Sequence, residues 1–275
     1  MSGVLERTLG ILELLAQQGH GMELAAIADA LNIPRSGVHR LLTDLVKCGY
    51  VRQTREHGDY VLTTKLVAMG LSYLSNTGIV DVAQPLLDRL AEASGELVRL
   101  SVIDGDRLTW VARAQGARQG LRYDPDMGSD ARLSCSASGL AWLATLSDEE
   151  ALARVAQQGL GQRSEYGPNA PATLKAVLDC VHSTRKRGYS LTQETFTAGL
   201  NAMATAVRLK GQPAMGVISI AGPSARFTDK RMRELASAMQ AVAAQLATAS
   251  RASPFFNQRL PEVGRQALAQ PIYAP

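Results

Sequence analysis

Cysteine is scarce in this chain: Cys48, Cys135 and Cys180 stand far apart, odd in number and without a CxxC pair. That excludes a disulfide framework and a structural zinc site as the source of stability. The four histidines, His20, His39, His57 and His182, have no ligand spacing either, so neither a metal nor a cofactor is expected. Long apolar runs are missing as well, and no segment is expected to span a bilayer. The opening residues Met1 to Arg7 include Glu6 and lack a small-residue cleavage site after a basic start. A cytoplasmic protein is expected rather than a secreted one.

What remains is ordinary globular material, 46% hydrophobic and 20% charged, over 275 residues. That length predicts two domains with real cores. The net charge of +4 says little alone, but its distribution says more. Between 35 and 55, Arg35, Arg40, Lys47, Arg52 and Arg55 face a single acid, Asp44. A nucleic-acid-reading element needs such a concentration.

The first domain is assigned to residues 1–65. Leu5, Leu9, Leu12 and Ala16 recur at helical spacing and predict a helix over 4–16 with those residues inward. A second helix is predicted over 23–31, with Leu24, Ile27, Ala28 and Leu31 inward. Asn32-Ile33-Pro34 breaks the chain, because Asn tolerates a left-handed turn and Pro suits a helix start. The third helix, 34–47, carries Val38, Leu41, Leu42 and Leu45 on one stripe and Ser36, Arg40, Thr43 and Lys47 opposite, with His39 on the flank. A hairpin follows: Tyr50 to Thr54, a turn at Glu56 to Asp59, then Tyr60 to Leu62. A basic helix face is commonly a mere solvated surface. The complete order of helix, helix, turn, helix and hairpin points instead to a winged helix-turn-helix.

In that geometry the N-terminal part of the third helix meets base edges. Ser36, His39 and Arg40 are the base-reading candidates, Thr43 and Lys47 meet phosphate, Arg52 and Arg55 reach backbone or minor groove, and Arg35 at the helix start belongs to the same DNA-binding set. One such helix reads only a few base pairs of a double-stranded operator, so a homo-oligomer is implied. Residues 66–78 read as a helix joining the domains, apolar nearly all round. It either packs on a second protomer or is an ordinary buried helix.

Residues 79–251 mix helices and strands. Helices are predicted over 81–94, 137–146, 148–157, 172–187 and 228–250. Strands are predicted at 97–103, 108–112, 189–193, 201–209 and 214–221. Antiparallel hairpins with helices to one side make an α+β domain. Ser134-Cys135-Ser136-Ala137-Ser138-Gly139 opens directly into a helix. Free amides and hydroxyls there could bind a carboxylate, or the small residues could serve close packing with a serine cap. Cys135 at a helix start raises the question of a nucleophile, but no local histidine supports an enzyme. The proline-bearing stretch 252–275 reads as a loosely ordered tail.

Several segments together resemble one family. They are Leu5-Glu6-Arg7, Leu9 to Leu12, Leu24 to Ala28, Ile33 to Leu42, Gly49-Tyr50-Val51 and Tyr60 to Thr63. The chain is similar through them to the isocitrate lyase regulator (IclR) family, over some nine-tenths of its length. The resemblance implies a transcription factor, dimeric or tetrameric, with a GAF-like effector domain that binds a small organic acid. Carried over by position, the family's pocket corresponds to Ala137, Ser138, Thr192, Gln193, Ala202, Ser219 and Ala221, with Ser136 beside them. Relatives often have acidic residues at 192 and 193, Cys at 202 and Ser at 221, so this pocket reads as wider and less polar. Leu121, Tyr123 and one of Trp110 and Trp142 nearby favour an aromatic acid. Arg122 and Arg132 either pair with its carboxylate or are surface charges. Gly37 departs from the family's usual Thr and removes one possible operator contact. A ligand-independent architectural DNA binder is the alternative reading. The expected mechanism is a population shift relayed through the joining helix to paired DNA-reading helices.

Overall fold

The computed structural model describes residues 3–55, 58–77, 79–125 and 127–249. The chain divides into two compact units between Asn76 and Thr77. Among the described residues, no helix is long and apolar enough to cross a membrane.

In the first unit, α1 (Val4–Ala16), α2 (Leu24–Leu31) and α3 (Arg35–Lys47) precede a small hairpin of β1 (Val51–Gln53) and β2 (Tyr60–Leu62). The chain turns after α2 because Asn32 takes the left-handed conformation, φ 50° and ψ 47°. Pro34 caps α3 rather than opening it, and its ring holds φ at −55°. At the far end Gly49, φ +76°, lets its own amide reach Val46 O and that of Tyr50 reach Leu45 O. Two orphan carbonyls are thereby satisfied, and the chain is aimed into β1.

The core of this unit takes Val38, Leu41, Leu42 and Leu45 from α3, Ile27 and Ala28 from α2, and Val51 from β1. From α1 it takes Ile11 and Leu15, with Leu12 of the expected stripe partly buried against them, whereas Leu5 is 72% and Leu9 48% exposed. The helix is apolar around a wide arc, and contact with its neighbours selects one side of it. β1 and β2 pair antiparallel, Val51 opposite Leu62 and Gln53 opposite Tyr60. The Glu56-His57 part of the expected turn lies outside the described residues. The helix α4 (Lys65–Thr77) leaves this unit, held by the Lys65 ammonium. That group donates to Cys48 O at 2.7 Å and sits 4.5 Å from the centre of the Tyr50 ring.

The second unit is built on a five-stranded antiparallel sheet in the order β4-β3-β7-β6-β5. Its strands are β3 (Leu97–Asp104), β4 (Arg107–Gln115), β5 (Ser190–Gln193), β6 (Leu200–Val207) and β7 (Gly216–Pro223). One face is covered by α5 (Ile79–Ser94) and α9 (Asp229–Ala249). The other is covered by α6 (Ala137–Leu143) with α7 (Asp148–Gln158) and α8 (Leu174–Arg187) behind it. The expectation of helices to one side is therefore corrected. The central strands β3 and β7 are buried on both faces, and each face demands a cover.

One irregularity positions the site described next. The β3–β4 register shifts between Leu100, opposite Ala112, and Ser101, opposite Trp110. Val111 is the extra residue of this bulge, so the alternation of β4 reverses across it. Leu108 and Trp110 pack on the α6 face, whereas Ala112 and Ala114 pack on the α5–α9 face.

Candidate DNA-reading face and effector cavity

The buried stripe of α3 leaves its opposite side to solvent. Arg35, Ser36, His39, Arg40 and Lys47 are all exposed, and Arg52 and Arg55 are exposed on and beside β1. Among the described residues none of these cations is held in an ion pair. Thr43 is half-buried, and its hydroxyl donates to His39 O at 2.8 Å, which leaves its lone pairs outward. The face therefore presents unneutralised cations along a rigid helix and a two-stranded ribbon, as groove and phosphate contact requires.

In the second unit a small cavity of about 30 Å³ lies between the sheet and the start of α6, which does not meet the expectation of a wider pocket. Tyr123, Ser136, Ala137, Ser138, Thr192, Ala202, Ser219 and Ala221 line it, together with Arg99, Trp110 and Phe196. Two expected residues stand outside: Leu121 is 71% exposed, and Gln193 points to solvent. Gln193 cannot follow Thr192, because neighbours along a strand face opposite ways. Trp142 lies elsewhere, beneath the Arg154 guanidinium at 4.9 Å. The two arginines considered for a carboxylate are also engaged. Arg122 pairs with Asp124, and Arg132 donates to the carbonyls of Gln158 and Gly159.

The start of α6 is spent on structure. Ser136 Oγ accepts from Gly139 N at 3.0 Å, and Ser136 O accepts from Leu140 N. Gly139 has no room for a side chain, since a Cβ there would fall 2.5 Å from the Leu133 Cα. The serine cap and the close packing are both present, and the cap and the first turn engage the amides of Gly139 and Leu140. Cys135 is buried, and burial pushes its thiol up to about 11, the opposite of an activated nucleophile.

Sequence reasoning missed Arg99. It sits on β3 at 5% exposure, its guanidinium carbon 3.9 Å from the Trp110 ring centre and 5.8 Å from that of Tyr123. Its Nε and Nη1 are buried without hydrogen-bond partners, as are Trp110 Nε1 and Ser219 Oγ. Burial pulls its pKa down to about 10, still far above neutrality, so the cavity wall carries a charged group. The signal was present in Leu97-Val98-Arg99-Leu100, a charge inside a strongly apolar stretch, but nothing along the chain ties it to Ser136 or Ser219. Phe196 closes the cavity edge-on to Trp110, ring centres 6.1 Å apart. It belongs to a tight loop in which Glu194, φ +51°, donates its amide to Leu200 O and accepts from Gly199 N through its side chain.

A winged helix-turn-helix followed by a mixed domain with a small, largely apolar cavity is the architecture of a DNA-binding transcription regulator. Two family models match, the IclR helix-turn-helix domain over residues 4–55 and the bacterial transcriptional regulator IclR C-terminal domain over 71–248. The acetate operon repressor of Salmonella typhimurium is 32% identical over 232 residues, 84% of each chain. This chain belongs to the IclR family of DNA-binding transcriptional regulators. Its fold is similar to the crystal structure of an IclR regulator from Alicyclobacillus acidocaldarius, with TM-score 0.77, 21% identity, and 91% of this chain and 99% of that one covered. It is also similar to an IclR homologue from Microbacterium hydrocarbonoxydans complexed with 4-hydroxybenzoate, with TM-score 0.75, 19% identity, and 91% of this chain and all of that one covered (100%).

Proposed function

We propose that this chain is a cytoplasmic regulator, not an enzyme, whose attachment to an operator is set by a small organic acid held in the second unit. The observation that carries the reading is the cavity itself. It is enclosed by eight of the positions expected of an effector site, and it holds buried polar atoms with no partner inside the protein. Such atoms are costly unless a ligand or water completes them. The indole of Trp110 and the rings of Tyr123 and Phe196 suit an aromatic acid, and the bound 4-hydroxybenzoate of the Microbacterium relative agrees with that chemistry.

The cavity is large enough for water but not for a benzene ring, which needs roughly 150 Å³. An aromatic effector therefore enters only when the Phe196 loop gives way. Binding then selects a second arrangement of the domain, which supports a population shift. Residues 1–65 read DNA through Ser36, His39 and Arg40, residues 66–78 relay and residues 79–251 sense, while the expected tail, 252–275, lies outside the described residues. Exposed apolar side chains on α1 (Val4, Leu5, Leu9) and α4 (Val67, Leu71) favour a homodimer or homotetramer, which one short reading helix requires. The test is a thermal-shift panel of aromatic and aliphatic acids, repeated as operator retention on a gel. Stabilisation by aliphatic acids alone would remove the aromatic assignment.

A further inference from the structure

We propose that Arg99 is the anchor of the effector: the ligand's carboxylate is the counter-ion of this buried guanidinium, so the cavity admits monocarboxylates and refuses their neutral isosteres. The proposal rests on reading the cavity as the effector site. Arg99 projects from the middle of β3 onto the α6 face, directly across from Ser219 of β7. Among the described residues no carboxylate pairs with it. Asp124 is committed to Arg113 and Arg122, Glu96 to Arg226, and Glu194 to the amide of Gly199. A charge at 5% exposure with two unpartnered N–H groups is an arrangement proteins retain only where something completes it.

The hydrogen-bond inventory narrows what completes it. Arg99 Nε and Nη1 and Trp110 Nε1 can only donate, and Ser219 Oγ can donate as well. All three residues line the same cavity. Asn201 lines it too and has an unpartnered acceptor, Oδ1, but its side-chain amide donates to Phe227 O in the core on the opposite side of the sheet. A carboxylate is acceptor-only, with about four lone-pair sites, and matches this set in charge and in polarity. An amide of the same shape would turn its NH2 toward donors and leave them unpaired. Trp110 supplies the other half of the geometry. Its ring centre lies 3.9 Å from the guanidinium carbon, a cation–π contact that holds the charged group against the cavity wall. The bulge at Val111 is what brings that ring to the Arg99 face.

The experiment uses the full-length protein. Binding of benzoate, 4-hydroxybenzoate, pyruvate, benzamide and inorganic phosphate is measured by calorimetry and by thermal shift. Parent, Arg99→Met, Arg99→Lys and the cavity-filling Ala202→Leu are compared, with circular dichroism and salt-sensitive DNA binding as folding controls. At least one carboxylate should bind the parent, while benzamide and phosphate should not. Arg99→Met should lose about 30-fold or more in affinity, the cost of leaving a buried ion without its partner. Its ligand-free melting point should rise, because the unpaired charge is gone. Arg99→Lys should keep part of the affinity. Should Arg99→Met fail to fold, the lysine variant and the benzoate–benzamide comparison on the parent decide. Arg99→Met binding within threefold of the parent, benzamide matching benzoate, phosphate binding as well as the acids, or no carboxylate binding at all would each overturn the anchor. If Ala202→Leu blocks an acid that Arg99→Met still binds, the cavity stands as the effector site and the anchor alone falls. If neither variant affects an acid that binds, the cavity reading falls with it.

Discussion

Arg40 offers the sharpest test of how this protein meets DNA. Its side chain is exposed on α3, one residue from the buried pair Leu41 and Leu42, so its position is set by the core while its guanidinium is free. Replacing it by Ala removes a solvated group and should change folding stability by no more than about 0.5 kcal/mol. A bidentate contact to guanine is worth about 1–3 kcal/mol of discrimination. At 1.4 kcal/mol per tenfold, each half-site loses about 5- to 150-fold, and a dimer with both helices altered loses more. Fluorescence anisotropy on a duplex selected from genomic fragments, against an unrelated duplex of equal length, reads both affinity and specificity. The expected signature is a fall in the ratio of the two affinities at unchanged salt slope. Arg55→Ala, beside the wing, should do the reverse: affinity falls on both duplexes and the salt slope drops by about one. Were Arg40→Ala to keep the parent's ratio, the outer face of α3 would not be reading bases.

The remaining predictions concern the scaffold. Leu42 is fully buried, 0% exposed, and Leu42→Ala should destabilise the first unit by about 2–5 kcal/mol, seen as a lower urea midpoint and lost DNA binding. An unshifted midpoint would contradict this packing. Gly37→Ala should gain up to about 1 kcal/mol of helix propensity, offset by a 3.3 Å contact with the Ile33 Cγ2. A melting point at or slightly above the parent's is expected, and a fall of many degrees would mean that Ile33 cannot yield. Gly139→Ala, whose methyl meets backbone at 2.5–2.8 Å, should disturb the α6 start and abolish the acid response while sparing the first unit. Retained effector binding at parental affinity would refute that. Iodoacetamide at neutral pH should label the exposed Cys48 and spare Cys135, whose buried thiol stays protonated until pH approaches about 11. Peptide mass mapping that finds Cys135 modified first in the folded protein would reverse the assignment.

Much of this architecture follows from local chemistry and so could be read along the chain. The stripe Val38, Leu41, Leu42 and Leu45 repeats at the helical period, and a helix can bury only one such stripe. The same periodicity therefore turns Ser36, His39 and Arg40 outward. Asn32 and Gly105 mark turns because few other residues accept positive φ. Other features had no local cause. The side of α1 that is buried depended on where α2 and α3 lie, so Leu5 and Leu9 were misplaced and Ile11 and Leu15 overlooked. Helices cover both faces of the sheet and bury β3 and β7 on both, which alternation within a hairpin does not foretell. Trp110 shares a face with Arg99 only through a bulge, whereas strict period-2 counting puts it with Ala112. Arg99 and Ser219 lie 120 positions apart and meet across one strand pairing. Sequence determined the elements and the cationic reading face, since periodicity and turn chemistry act within a dozen residues. The composition of the cavity was decided by register and bulge, which exist only once distant strands have paired.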